Sequence, residues 1–175
     1  SSSNLVGYWR MGSGTLDSYP LIADQTNATL GSEVVTDGDF PSNTNWNENN
    51  AACEIIGGKA VWTSAPNSTG FIGKNLNDDI CEIGKTYKIT YTIDSVTQGG
   101  IRIRFPDFGT VFNTTSSYPK TVTNILTATN TDIYFQGLGT VTASISNVSV
   151  KQVNGNHAIM TNMTASDIEN GSPYA

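Results

Sequence analysis

The sequence predicts an all-β protein built as an antiparallel two-sheet β-sandwich. The first support is strict alternation of apolar and polar residues in segments 87–93 and 101–105, the pattern of strands with one buried face. The second is that short segments of this kind recur between clusters of Gly, Asn, Pro and Ser, which are typical turn residues. The third is that no segment shows a convincing helical period. Together these patterns favour two packed sheets.

The composition indicates one ordered domain. The 175 residues carry a net charge of −6, and the few basic residues are scattered, which disfavours nucleic acid as a partner. No run approaches the eighteen or so consecutive apolar residues of a membrane-spanning helix, so we expect no membrane span. Aromatic and β-branched residues recur throughout the chain, which argues against disorder.

Two cysteines, Cys53 and Cys81, leave two alternatives open. If paired, they would add roughly 3 kcal/mol in the chain-entropy model. They are equally consistent with two separate, partly buried thiols in neighbouring strands. Neither belongs to a Cys-X-X-Cys pair, and His157 has no companion for a zinc site or a nucleophile.

The first segment, residues 1–32, is predicted to be an arm. Its run Leu5-Val-Gly-Tyr-Trp-Arg, followed by glycines, and its later run Asn27-Ala-Thr-Leu resemble the first strand and turn of a laminin-G or concanavalin-type lectin domain. The other strands of that fold are missing, so the segment cannot close a core alone. We expect it to pack on the main domain, on a neighbouring subunit or on another part of a parent polypeptide.

The main domain is predicted at residues 33–152. It opens with a β-branched strand, an Asp-Gly turn at residues 37–38, a polar loop holding Trp46, and a hairpin at residues 53–62. Further strands are predicted at residues 70–76, 87–93, 101–105, 121–128, 131–137 and 143–151, with turns at 83–86 and 99–100.

Residues 153–175 are predicted to form a second arm. The run from Ala158 to Ile168 could form a short helix or an extended docking strip. Together with the first arm, it resembles the segments that flank sandwich modules in structural proteins of tailed bacteriophages. We expect the arms to make subunit contacts through Leu5, Tyr8, Trp9, Met160 and Met163.

The opening of the main domain resembles jelly-roll carbohydrate-binding modules of the kind appended to cellulases and xylanases. In those modules the first strand ends in Gly-Asp-Phe-Glu and the last contains Ile-Asp-Asn-Val, a pair that often frames a structural calcium ion. Here the motifs read Gly38-Asp39-Phe40-Pro41 and Ile145-Ser146-Asn147-Val148, so a carboxylate is missing from each. Calcium takes six to eight oxygen ligands with carboxylate charge. Although Asp39 remains a candidate ligand, we expect no occupied calcium site and no other cofactor.

The same resemblance implies a sugar-binding cleft on the outer face of the strands. Sugar recognition needs planar polar groups and a flat aromatic platform. The nominated polar lining is Arg102, Arg104, Tyr134 and Gln136, with Lys88, Thr90 and Thr92 nearby if the strand order follows the family. Trp62 or Trp46 would be the platform. In the structural alternative, Trp62 lies in the core, Trp46 plugs the sandwich end, and the two arginines form a solvated or intersubunit face.

The sequence leaves three classes of function open: a glycan-binding module, a structural component of a virion, and an enzyme. An enzyme is disfavoured, because glycoside hydrolysis uses two carboxylates across a cleft and those here, such as Asp107 and Asp132, lie in turns and flanks. We predict a bacteriophage virion structural protein at the particle surface: a capsid decoration, fibre or tail component. Its partners would be other virion subunits or copies of itself, and the strand faces also permit binding of host surface polysaccharide. The alternative is a dedicated glycan-binding adhesin module of a larger secreted or tail protein.

Overall fold

The computed structural model describes residues 21–22, 29–42, 45–73, 80–104, 111–155 and 158–159. Its strands are β1 (Leu21–Ile22), β2 (Thr29–Glu33), β3 (Trp46–Glu48), β4 (Cys53–Ile56), β5 (Lys59–Ala65), β6 (Gly70–Gly73), β7 (Thr86–Arg104), β8 (Phe112–Asn113), β9 (Lys120–Thr127), β10 (Ile133–Asn154) and β11 (Ala158–Ile159). None of the described residues is helical, and none therefore belongs to a helix that could cross a membrane. The predicted all-β class is confirmed.

The strands from β2 to β10 form one antiparallel sheet that curls around the core. Its centre is the long pairing of β7 with β10, which runs from Arg104 opposite Tyr134 to Tyr87 opposite Gln152. The other edge of β7 pairs with β8 and β9, and the other edge of β10 pairs in turn with β6, β5 and β2. Strands β3 and β4 pair with β6 and β5. This arrangement is consistent with the predicted antiparallel sandwich.

Strands β7 and β10 continue through glycines that the sequence suggests as breaks. Gly99 has a φ of +68°, and a Cβ there would lie 2.4 Å from the carbonyl oxygen of Thr140. The pairing shifts register here, between Leu138 and Thr142. The glycine therefore permits a bulge with close backbone approach rather than a reversal of the chain. The predicted turn at residues 99–100 is wrong, as is the prediction of separate strands at 131–137 and 143–151.

Burial in β7 follows the predicted alternation on both sides of this bulge. The inward row, at most 2% exposed, is Tyr87, Ile89, Tyr91, Ile93, Ile101 and Ile103. A separate register shift between Ile93 and Ser95 changes the parity, so that Val96 is buried, and the shifts from Val96 to Gly100 restore it. Arg102 is half-buried and Arg104 is exposed, as expected for the outer face, while Phe105 lies outside the described residues. The alternation therefore placed the charged residues of this strand correctly.

Aromatic side chains from the early strands fill the core. Trp62 is fully buried, with its ring edge-on to Phe71 at a centroid distance of 4.8 Å. Its Nε1 donates a hydrogen bond to the carbonyl oxygen of Thr69 at 3.2 Å. Trp46 is 3% exposed and packs on Phe40 at 4.7 Å. Aromatic pairs of this kind add about 0.5–1.5 kcal/mol beyond the area that they bury, so both indoles are structural.

The beginning and the end of the main domain lie side by side. In the β2–β10 pairing Glu33 is opposite Lys151, and the carbonyl oxygen of Gly38 accepts a hydrogen bond from the Val148 nitrogen at 2.8 Å. The two motifs that carry the carbohydrate-module resemblance are therefore in contact. The β2–β10 pairing also spans the predicted boundaries at residues 32–33 and 152–153.

The two terminal segments pair with each other in a separate two-stranded sheet. Leu21 lies opposite Ile159 and Ile22 opposite Ala158. The extended alternative is thus the one found at residues 158–159 of the second arm. The predicted contact residues Leu5, Tyr8, Trp9, Met160 and Met163 lie outside the described residues.

Both cysteines are buried and neither forms a disulfide. Burial, with a smaller contribution from the nearby Asp132 carboxylate, raises the pKa of the Cys81 thiol to about 12, and a hydrogen bond with Tyr87 acts in the opposite direction. Burial also raises the pKa of the Cys53 thiol. Of the two alternatives, a disulfide or two separate thiols, the structure shows two separate thiols, and their raised pKa values keep them protonated near neutral pH.

Candidate functional site

The end of β7 and the start of β10 bring four of the predicted site residues together. Arg104 lies directly opposite Tyr134, and Arg102 directly opposite Gln136. Directly opposed residues on antiparallel strands share a face of the sheet. The polar cluster, defined as Arg102, Arg104, Tyr134 and Gln136, is therefore contiguous.

Within the polar cluster, Arg102 and Gln136 bind each other. The Nε and Nη2 atoms of Arg102 donate to the Gln136 amide oxygen at 3.0 and 2.6 Å. This contact helps to explain why Gln136 is buried although it lies on the outer face. The contact orients both side chains on the face of the sheet that carries Tyr134.

Tyr134 is held in one orientation by its hydroxyl group. That hydroxyl donates to the carbonyl oxygen of Ser68 at 2.6 Å and accepts from Nδ2 of Asn49 at 2.8 Å. Asn49 is itself fixed, since its Oδ1 accepts from the Gly70 nitrogen at 2.7 Å. Burial raises the pKa of the Tyr134 phenol. The Arg104 guanidinium carbon lies 5.8 Å from the centre of the Tyr134 ring, within cation–π range.

A surface cavity of about 160 Å³ opens beside the polar cluster. Its described lining is Arg104, Asn130, Asp132 and Tyr134. Asn130 and Asp132 flank Thr131, whose carbonyl oxygen accepts hydrogen bonds from the nitrogens of Ile80 and Cys81, each at 3.1 Å. The turn before β10 is thereby anchored, and its polar side chains are positioned at the cavity.

Sequence reasoning did not assign Asn130, Asp132 or Asn49 to the site. A signal for Asp132 was present, because it precedes Tyr134 by two residues and so has the same parity along an extended chain. Asn49 left no such signal, since its role depends on β3 and β6 lying beside β10.

Trp46 and Trp62, the two tryptophans nominated as a platform, do not join the polar cluster. Trp62 is fully buried, and Trp46 is buried with its Nε1 donating to the carbonyl oxygen of Asp37 at 2.9 Å. Neither indole face is open to a ligand, so neither ring is a stacking platform in this structure. Among the described lining residues, Tyr134 supplies the aromatic ring.

Three further residues nominated for the cleft lie at the other end of β7. Lys88, Thr90 and Thr92 pair with β9 opposite Ile125, Thr123 and Thr121. Two of these pairs are joined through their hydroxyls, at 3.4 Å for Thr90 and Thr123 and 3.2 Å for Thr92 and Thr121. They form a polar sheet surface of their own, away from the cavity.

The carboxylates of Asp37 and Asp39 have different surroundings. Asp39 is exposed, and the Asp37 carboxylate accepts a hydrogen bond from Nδ2 of Asn45. Across the described parts of the chain, no three His, Cys, Asp or Glu side chains come together as metal ligands would. Pro41 and Ser146 stand where the carbohydrate-binding modules that the sequence resembles have carboxylates. The turn has a conformational role instead, since Asp37 has a φ of 58° and Asp tolerates such values.

No protein-family model matches this chain, and no curated protein matches it. A fold alone establishes no activity. We therefore infer what the cavity can bind from the chemistry of its own side chains.

The cavity combines groups that suit hydroxyl-rich ligands. Arg104 presents several N–H donors, the Asp132 carboxylate presents acceptors, and the Asn130 amide presents both. Tyr134 adds part of an aromatic ring with its orientation fixed. Such a set can bond the paired hydroxyls of a sugar while a C–H face contacts the ring.

Proposed function

We propose that this chain is a structural protein of a tailed-bacteriophage particle, acting as a capsid decoration, fibre or tail component. In this proposal the curled sheet is a rigid building block with a jelly-roll relationship to carbohydrate-binding modules. The terminal segments attach it to neighbouring subunits. The resemblance of both flanking segments to those of phage structural proteins supports the virion assignment.

The observation that carries the proposal is the pairing of β1 with β11 outside the main sheet. Two residue pairs make a ladder too short to be stable alone in water, where even a complete hairpin is marginal. The ladder gains stability when another subunit adds strands to it, as exposed strand edges commonly allow. Both ends of the chain would then engage the same neighbour.

A variant pair tests the role of this ladder. Replacing Ala158 and Ile159 with proline removes their backbone N–H groups, whereas Ile159→Ala retains the nitrogen that pairs with β1. By light scattering coupled to size exclusion, we expect the wild type and Ile159→Ala to be oligomeric and the double proline variant monomeric, with unchanged β-sheet circular dichroism. A monomeric wild type would contradict subunit joining by the terminal segments.

The particle assignment has its own test. Antibodies raised against the full chain should label purified phage particles from the source culture in immunogold electron microscopy, at a repeated position on each particle. Labelling confined to free protein in the medium would favour a secreted adhesin module instead.

We also propose that the cavity binds glycan on the host surface, a second function supported by the combination of Arg104, Asn130, Asp132 and Tyr134 around one concavity. Arg104→Ala should reduce retention on host polysaccharide without unfolding the domain, because Arg104 is exposed. Retention equal to that of the wild type in this variant would remove the cavity from glycan recognition.

A further inference from the structure

We infer that the cavity accepts a single neutral sugar at the end of a glycan chain, rather than an acidic sugar or an internal stretch of polysaccharide. This inference rests on the proposed glycan-binding function. It adds the charge class and the position of the recognised residue.

The charge class follows from the two ionisable groups of opposite sign in the described lining. An acidic sugar drawn to the Arg104 guanidinium would place its anion beside the Asp132 carboxylate, and a protonated amino sugar drawn to Asp132 would meet Arg104. Like charges that share one small cavity repel, and the repulsion grows as water is excluded. A neutral polyol can instead donate to the carboxylate and accept from the guanidinium simultaneously.

The charge of the whole chain acts in the same direction. A net charge of −6 repels polyanionic glycans at long range and slows their association. Sulfated and uronate-rich polymers are therefore disfavoured before contact as well as within the cavity.

The position in the glycan follows from size. Sites for drug-sized ligands occupy about 300–1,000 Å³, whereas this cavity measures about 160 Å³. It has room for one sugar ring or part of one. The fixed Tyr134 ring provides one aromatic surface, and the described tryptophans that could extend it along a chain are buried.

Side chains and backbone that are already held in place lower the free-energy cost of binding at such a small site. Tyr134 is fixed by Ser68 and Asn49, and the Asn130–Asp132 turn is fixed through Thr131. Binding therefore does not have to order the Tyr134 side chain or the backbone at Thr131, and this lower cost favours affinity from a small contact area.

The test uses the full chain and saturation-transfer NMR with isothermal titration calorimetry. The probes are methyl glycosides of glucose, galactose and mannose, then sodium glucuronate, glucose 6-sulfate and glucosamine, and finally neutral oligosaccharides of increasing length. We expect at least one neutral glycoside to bind at least tenfold more tightly than every charged probe. We also expect an affinity that does not increase with oligosaccharide length.

Two variants tie that binding to the cavity. Arg104→Ala and Asp132→Asn should each weaken neutral-sugar binding at least tenfold. The matched controls Lys151→Ala and Glu54→Gln remove a charge of the same sign elsewhere and should bind like the wild type.

The outcomes separate this inference from the function beneath it. Binding of the charged probes alone, or affinity that rises steadily with chain length, overturns the neutral end-group inference while glycan binding stands. Failure of every saccharide to bind overturns both. Binding that survives in both cavity variants places the glycan site elsewhere and also overturns the inference.

Discussion

The decisive perturbation for the core is Trp62→Ala, because the position of this indole separates a structural role from a ligand-stacking one. Trp62 is fully buried, packs edge-on against Phe71 at 4.8 Å, and satisfies the carbonyl oxygen of Thr69. Truncating a buried tryptophan to alanine costs about 3–5 kcal/mol. Since domains are typically stable by about 5–15 kcal/mol, the variant should be marginally folded.

Urea unfolding followed by circular dichroism measures this cost. Trp62→Phe should lose less, about 0.5–1.5 kcal/mol for the missing indole hydrogen bond. It keeps a ring against Phe71, and the Thr69 carbonyl oxygen still accepts from the Gly137 nitrogen at 2.7 Å. Ile56→Ala is the surface control, since Ile56 is 62% exposed, and it should change stability by about 0.5 kcal/mol or less. An unfolding midpoint unchanged in Trp62→Ala, together with lost saccharide binding, would refute the buried placement.

Three further predictions concern other parts of the sheet. Gly38→Ala should destabilise the fold by several kcal/mol, because the added Cβ would lie 1.9 Å from the carbonyl oxygen of Val148 and the two backbone segments would have to separate. A thermal unfolding curve like that of the wild type would contradict this packing. Lys59→Ala should cost more stability than Asp94→Asn, because the Lys59 ammonium lies 2.8 Å from one Asp94 oxygen while the other Asp94 oxygen is buried without a partner. Partly exposed ion pairs contribute about 0–1 kcal/mol, so the comparison needs precise urea midpoints. A larger loss of stability in Asp94→Asn would contradict this prediction. The pKa of Cys81 is raised from 9.0 to about 12, so the folded protein keeps a proton that the unfolded chain releases. The contribution of this thiol to the free energy of unfolding should be complete below about pH 9 and fall by up to about 1.4 kcal/mol per pH unit from there toward about pH 12. Urea titrations across this range should show a shallower decline of stability in Cys81→Ser. Equal slopes in the two proteins would contradict the raised pKa of Cys81.

The alternating pattern was sufficient to predict which residues of β7 face outward. Side chains alternate along a strand whatever its partners are, so Arg102 and Arg104 could be placed on the outer face from local sequence. The pattern could not reveal whether the chain reverses at Gly99. A glycine between two alternating runs suits both a turn and a bulge, and the decision here comes from the Thr140 carbonyl on the facing strand.

The placement of Trp62 could not be predicted for a related reason. Its strand reads Lys-Ala-Val-Trp-Thr, with apolar residues on both faces, so alternation does not distinguish inside from outside. Phe71 and the Thr69 carbonyl, which lie beyond the next turn, provide the surroundings of the indole. An exposed platform and a core residue therefore look the same in the local sequence.

One part of the candidate site could be predicted from the local sequence, and the other part could not. The pairing of Arg104 with Tyr134 joins two faces that could each be predicted, once β7 and β10 are neighbours. The cavity beside them depends on a contact between Thr131 and the distant Ile80–Cys81 backbone, which no period in the sequence encodes. Because that contact holds the backbone between Asn130 and Asp132 in place, losing it should abolish the proposed saccharide binding in titration calorimetry while leaving the Arg102–Gln136 pair intact.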